Sequence, residues 1–245
     1  MKKAMFGLAC AAAMVACADI TSSNIVGYTN KDAGADFSLV VPMFKECAGS
    51  EFDIQKLVPQ GENALGDGNI NLQTFTTDAN ADEMFYYLTT EGAGAEQDGW
   101  YEEDLTTFAT KKFAPGEGFM FCGGNGAVKL MFSGEVDLSD VVVDVPADFS
   151  LLGNIRPMDC SIQSVIPQGE NAVGDGNINI QTFTSDANAD EMFYYLTTED
   201  AGAEKNGWYE EDLTTFATKT FVPGEGFMFC GGNGACQLKF ATAAK

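Results

Sequence analysis

Histidine is absent from the 245 residues, and arginine occurs once, at Arg156. Without imidazole there is no Ser-His or Cys-His nucleophile pair, no His-ligated zinc and no His-based pH switch. Basic residues of any kind are scarce: 13 Lys+Arg stand against 36 Asp+Glu, for a net charge of −23. A field of that sign repels polyanions, so nucleic acid and anionic lipid are poor partners. Divalent cations, basic partners or plain solubility suit it better. Long apolar runs are missing too. The most apolar stretch, residues 4–16, is too short for a stable membrane-spanning helix.

That stretch follows Lys2 and Lys3, the order of a charged n-region and a short h-region. Ala16-Cys17-Ala18 fits a small-x-small cleavage site, which makes residues 1–18 a signal peptide. Met14-Val15-Ala16-Cys17 also reads as a lipobox, in which case Cys17 is lipidated and supplies the membrane contact. Both readings place the protein outside the cytoplasm, secreted or at the cell surface. Cleavage takes the basic residues from 13 to 11 against 36 acidic, and the net charge from −23 to −25.

The rest of the chain is a tandem repeat. Residues 58–127 realign with 166–235 at a constant offset of 108, with nine differences in 70 positions. Upstream, Asp36-Phe37-Ser38-Leu39 matches Asp148-Phe149-Ser150-Leu151, with a short length difference before the next Pro-Gln-Gly. The period is long enough to enclose a core of its own. Two β domains follow, 19–136 and 137–245; the alternative is that the halves interleave into one larger sandwich.

Within a copy, short strands alternate with turns. Ile70, Leu72 and Thr74 alternate with polar neighbours, the pattern of a half-buried strand. Residues 84–89 read as a more fully buried strand, and Gly99-Trp100-Tyr101 as a short aromatic one. Asp53 and, in the second copy, Ser161 cap one helical turn that Pro59 and Pro167 stop. Pro115-Gly116 suits the centre of a type II turn. The run from Phe119 to Cys122, a Gly-Gly-Asn-Gly loop and the return through Val128, Leu130 and Phe132 read as a hairpin. The fold class is all-β: two homologous antiparallel β-sandwiches or partly open β-barrels, each with one short helical turn.

Five cysteines remain beyond the cleavage site, in a compartment that permits disulfides. Cys122 and Cys230 are repeat mates, and Cys47 and Cys160 become mates once the length difference is allowed for. One staple per domain follows, Cys47–Cys122 and Cys160–Cys230, each contributing roughly 4 kcal/mol in the chain-entropy model. Cys236, in place of Val128, reads as a buried thiol or as an intermolecular bridge.

The order Phe-Ser-Leu-Val-x-Pro, Gly-Trp-Tyr, Pro-Gly-Glu-Gly-Phe-Met-Phe and a closing Leu-Met-Phe-Ser-Gly resembles a broad group of secreted bacterial β-repeat domains. Ser23-Asn24-Ile25-Val26-Gly27-Tyr28 resembles the start of one subset of them. The resemblance implies surface or extracellular domains mostly without a defined activity, and it carries over no catalytic residue. Met120 and Cys122 depart from the pattern, where bulkier or aliphatic residues are usual.

Three candidate sites emerge. Asp78, Asn80 and Asp82, repeated as Asp186, Asn188 and Asp190, have the D-x-N-x-D spacing of the first half of a Ca²⁺ loop. The loop then departs from that motif, with Glu83 where Gly is needed. The plain reading is a solvated Asp/Asn turn. Trp100, Tyr101, Trp208 and Tyr209 offer a sugar-stacking platform for glycan, or else core aromatics. Glu102-Glu103-Asp104 beside them lacks the flanking geometry a glycosidase needs. Ile25, Val26, Gly27 and Tyr28 form a strand that folds back locally or adds to a neighbouring subunit, making a head-to-tail polymer. The sequence therefore points to a non-enzymatic extracellular or cell-surface structural protein, a self-associating filament or surface-layer subunit. The alternative is a bivalent module for carbohydrate or another surface ligand. No cofactor is called for, Ca²⁺ excepted, and the partners expected are further copies or other surface proteins.

Overall fold

The computed structural model describes residues 26–44, 51–75, 82–136, 139–183 and 190–241. In the first copy the strands are β1 (Val26–Ala33), β2 (Phe37–Val40), β3 (Phe52–Asp53), β4 (Val58–Gln60), β5 (Asp67–Thr74), β6 (Glu83–Leu88), β7 (Gly99–Glu102), β8 (Lys112–Phe113), β9 (Phe119–Cys122) and β10 (Val128–Glu135). The second copy repeats them as β11 (Val141–Val145), β12 (Phe149–Gly153), β13 (Cys160–Ser161), β14 (Val165–Gln168), β15 (Asp175–Thr182), β16 (Glu191–Leu196), β17 (Gly207–Tyr209), β18 (Thr220–Phe221), β19 (Gly226–Cys230) and β20 (Cys236–Phe240). The protein is all-β, antiparallel throughout, with open sandwiches rather than closed barrels.

Copy 1 has a five-stranded sheet, β2-β9-β5-β6-β7, and a three-stranded sheet, β1-β10-β4; copy 2 has β12-β19-β15-β16-β17 and β11-β20-β14 in the same order. Each set of sheets draws its strands from one copy, so the halves do not interleave. Alternation explains the packing. Ile70, Leu72 and Thr74 of β5 are buried with Phe119 and Phe121 of β9, facing Val128, Leu130 and Phe132 of β10 across the core. The polar partners on the same strands face out.

The single helical turn is present in each copy, as a 3₁₀ turn at Ile54–Lys56 and at Ile162–Ser164. The carboxylate of Asp53 accepts from Gln55 N at 2.9 Å and the Ser161 hydroxyl from Gln163 N at 3.3 Å. That turn aims Gln55 at the sheet edge. Its amide donates to the carbonyls of Trp100 (2.9 Å) and Ala109 (2.8 Å) and accepts from Trp100 N (2.9 Å), which ties β7 to the following loop. The Pro115-Gly116 turn also forms as expected, with Glu117 N donating to Ala114 O at 3.0 Å and Gly116 at φ 85°.

Two expectations fail, and one open alternative closes. First, β9 and β10 are not a hairpin. β9 pairs with β2 and β5, while β10 pairs with β1 and β4 in the other sheet. Each strand already has a partner on both sides. The glycine loop instead carries the chain across the core, its amides Gly123 N and Gly124 N donating to Gly34 O and Ala35 O.

Second, of the two courses open to the N-terminal strand it takes the local one and is spent inside its own copy. Val26, Gly27 and Tyr28 pair with Glu135, Gly134 and Ser133 of β10, as β11 pairs with β20. Ile25 lies outside the described residues.

Third, Cys160 and Cys230 are not bridged. Cys160 is 4% exposed and faces the core, its thiol 3.2 Å from the Ser164 hydroxyl. Cys230 alternates with the buried Phe227 and Phe229, so it lies on the opposite, outer face of β19. A disulfide needs Cβ atoms about 3.8 Å apart, and here the sheet stands between them. Cys160 is in fact the mate of Phe52, not of Cys47: Phe52 pairs with Phe113 as Cys160 pairs with Phe221, 108 residues on. Cys122 is a free thiol on the outer face of β9; Cys47 lies outside the described residues. Cys236 is a buried thiol, as its plain reading had it.

Candidate functional site

The residues singled out for ligands are occupied elsewhere. Trp100 is 0% exposed and Trp208 1%, and their indole N–H groups donate to Leu57 O (2.7 Å) and Val165 O (2.6 Å) inside the core. Tyr101 and Tyr209 are buried as well, with hydroxyls donating to Gln97 O and Lys205 O. The sugar-stacking platform is therefore corrected: no face of either indole is free to receive a ring. Of the proposed Ca²⁺ ligands, Asp78, Asn80, Asp186 and Asn188 lie outside the described residues. The amides of Asp82 and Asp190 donate to Thr74 O and Thr182 O. Next to them Glu83 and Glu191 are ion-paired to Lys111 (2.9 Å) and Lys219 (2.8 Å). Among the described residues no group of three or more acidic or thiol side chains converges.

Asp104 and Asp212 work as caps. Each accepts from two threonine amides and a hydroxyl, for Asp104 from Thr107 N (2.7 Å), Thr106 N (2.9 Å) and Thr107 Oγ1 (2.7 Å). These donors, the Thr107 and Thr215 amides first, pull both carboxyls down to about 2. A carboxylate so fixed is no proton donor. The cap holds Leu105 and Leu213 at φ 60° and 58°, left-handed and 48% exposed. Copy 2 also has an open cleft of about 560 Å³ lined by Asp144, Pro146, Gln168, Glu170, Asn171 and Cys236.

What the structure does bring together is a seam between the copies, made by the edge strands β2 and β12 and the two Pro-Gly-Glu-Gly turns. Val41 N donates to Gly224 O at 3.2 Å, Gly118 N donates to Leu151 O at 2.7 Å, and Val40 bridges Glu225 in antiparallel fashion. β2 and the first turn meet β12 and the second, so each copy offers the same elements to the other. Val41 crosses over entirely: it is 0% exposed and belongs to the core of copy 2. The second glycine of each Pro-Gly-Glu-Gly turn shows why the backbones approach so closely. A Cβ on Gly226 would lie 2.8 Å from Leu39 C, and one on Gly118 would lie 3.0 Å from Val41 Cγ2 and 3.1 Å from Leu151 O. Lys31 on β1 lies in the field of the Glu225 carboxylate across the seam. Burial lowers its ammonium, against the pull of Glu225 and Asp32.

By composition Pro115-Gly116-Glu117-Gly118 is a turn, and the close approach it also serves does not show in composition alone. The available signal was the second glycine of each motif: a type II turn needs the first, and the second answers to a close approach. No known family, curated protein or solved structure matches the chain.

Proposed function

We propose that the protein is a non-catalytic structural protein of the cell exterior that associates with its own kind. The observation that supports this is the seam. The repeated domain pairs with a second copy of itself through strand edges and turns that both copies carry, and the join is direct and hydrogen-bonded. A domain that recognises itself is the unit from which filaments and surface layers are built. The field of its acidic residues keeps polyanions away, which leaves other copies, surface proteins and Ca²⁺ as partners. Size-exclusion light scattering and negative-stain electron microscopy on residues 19–245, with and without Ca²⁺, test this. Species above one chain mass are expected; a strict monomer at every concentration in both conditions overturns it.

A second reading, a bivalent binder, draws on the exposed Leu105 and Leu213 on loops of identical sequence. Two equal sites gain avidity. Glycan arrays and surface extracts probe it. Binding that falls at least tenfold in Leu105→Ala plus Leu213→Ala, with unchanged oligomeric state, supports it, and unchanged binding removes it.

A further inference from the structure

We infer that the seam is exchangeable between chains: copy 1 of one molecule seats on copy 2 of the next, with the direction set by Val41 and Gly153. The inference rests on the self-association reading and names its surface and its partner, a second copy of this chain. Every seam contact runs between copy 1 and copy 2, and none requires that the two belong to one chain. The covalent link is short: β10 ends at Glu135 and β11 begins at Val141. Exchange keeps Val41 N to Gly224 O, Gly118 N to Leu151 O and the Val40–Glu225 bridge, and alters only that connector.

The partner is specified by an asymmetry at the centre of the seam. Val41 and Gly153 are mates in the repeat, 112 residues apart. The Val41 side chain fills the space beside Gly153, where a Cβ would lie 2.9 Å from Val41 Cγ2. Two copy-1 seams set face to face would bring valine against valine, and two copy-2 seams would leave a void where the valine belongs. Lys31 strengthens the choice, since it lies in the field of the Glu225 carboxylate while its mate Val143 lies 2.9 Å from a Cβ on Gly116. Mismatched pairs are disfavoured, so association between chains runs head to tail.

Arg156 Nη2 donates to Ser139 O at 3.1 Å and so holds the connector at its copy-2 end. The short connector also gives the intrachain partner an effective concentration in the mM range, so exchange grows with chain concentration and is greatest when chains fold side by side.

The test uses the full mature chain in two single variants, Val40→Cys and Glu225→Cys, and the double variant. Antiparallel bridge partners have Cα atoms about 4.5–5.5 Å apart, within reach of a disulfide. The double variant bridges within one chain at low concentration, which shows that the seam forms. The two single variants are then unfolded, mixed, refolded together at high concentration and oxidised. Exchange yields a reducible species of twice the chain mass, joined through the two introduced thiols as read by peptide mapping. Below the effective concentration its fraction rises about tenfold for a tenfold rise in chain concentration. Absence of that bridge at every concentration, with the double variant bridged, overturns exchange. If the wild type still forms large species in that case, self-association stands through another surface; if it is monomeric, both proposals fall.

Discussion

Copy 1 packs the corner beneath β1 and β10 with aromatic rings, and copy 2 packs the same corner with a cation and a thiol. Phe44 and Phe52 are buried there in copy 1, and the Phe52 ring lies 5.8 Å from that of Phe132. In copy 2 the matching positions hold Arg156, Cys160 and Phe240. With no ring opposite, Phe240 packs on Phe227 instead, 6.5 Å away. Arg156 is 5% exposed and donates to Phe240 O at 2.9 Å and to Ser139 O at 3.1 Å, while its Nε has no partner among the described residues. The difference follows the chain rather than the fold. β11, the first strand of copy 2, follows directly on the connector from β10, and the residue that changed from ring to guanidinium is the one that grips that connector at Ser139 O. Over residues 58–127 and 166–235, where each copy builds its sheets alone, the two remain nearly the same. The divergent third is where the chain breaks the symmetry of the pair.

Exchanging residues between the matched corners tests this contrast, and Phe52→Cys has the largest expected effect. It removes a ring from a packed cluster and should cost about 3 kcal/mol in urea unfolding. Cys160→Ala, at the mate position, should cost about 1 kcal/mol. Equal costs would show that the two corners are packed alike after all. Arg156→Met comes next. It takes the donor from two carbonyls and should destabilise copy 2 by about 2 kcal/mol. A gain in stability would mean that desolvation of the guanidinium outweighs its hydrogen bonds. Val41→Ala should cost about 1–2 kcal/mol and loosen the seam. Its readout is hydrogen exchange at Val41 N and Gly118 N; unchanged protection there would remove Val41 as the anchor.

Much of the fold was open to reading from the residues. Alternation at Ile70, Leu72 and Thr74 gives the buried face of β5, Asp53 and Ser161 mark the 3₁₀ turns, and Pro115-Gly116 gives its turn. These features are local, and local chemistry decides them. The partner of a strand is not local. Phe119–Cys122 and Val128–Glu135 have the composition of a hairpin, yet β5 and β1 compete for their edges and win. Aromatic composition likewise cannot separate a stacking platform from a core; the burial of Trp100 depends on Leu57 O lying within reach of its indole. The seam was least legible, because the glycines that permit it look like turn residues until the second copy is beside them. The cysteine pairing failed through alignment: placing Cys160 opposite Cys47 hid its match with Phe52.

The smallest expected effect is the one in which the copies should not differ. Asp104 and Asp212 cap identical loops, and each carboxyl is held at about 2 by threonine amides, below the ordinary aspartate value of about 3.9. A carboxyl with a depressed folded value stabilises the fold above its unfolded value, and that contribution is lost as pH falls from about 4 to 2. Both groups lie in solvent, so the effect is small and screened by salt. Asp104→Ala and Asp212→Ala should each remove part of the acid dependence of the unfolding midpoint between pH 5 and 2, by the same amount, and leave the midpoint's dependence above pH 5 unchanged. The pair removed together should show the sum, because the loops belong to separate sheets. If one substitution alone accounts for the whole acid dependence, the loops are unequal. The asymmetry between the copies would then extend beyond the connector and the seam, into the part of the repeat that sequence identity marks as the same.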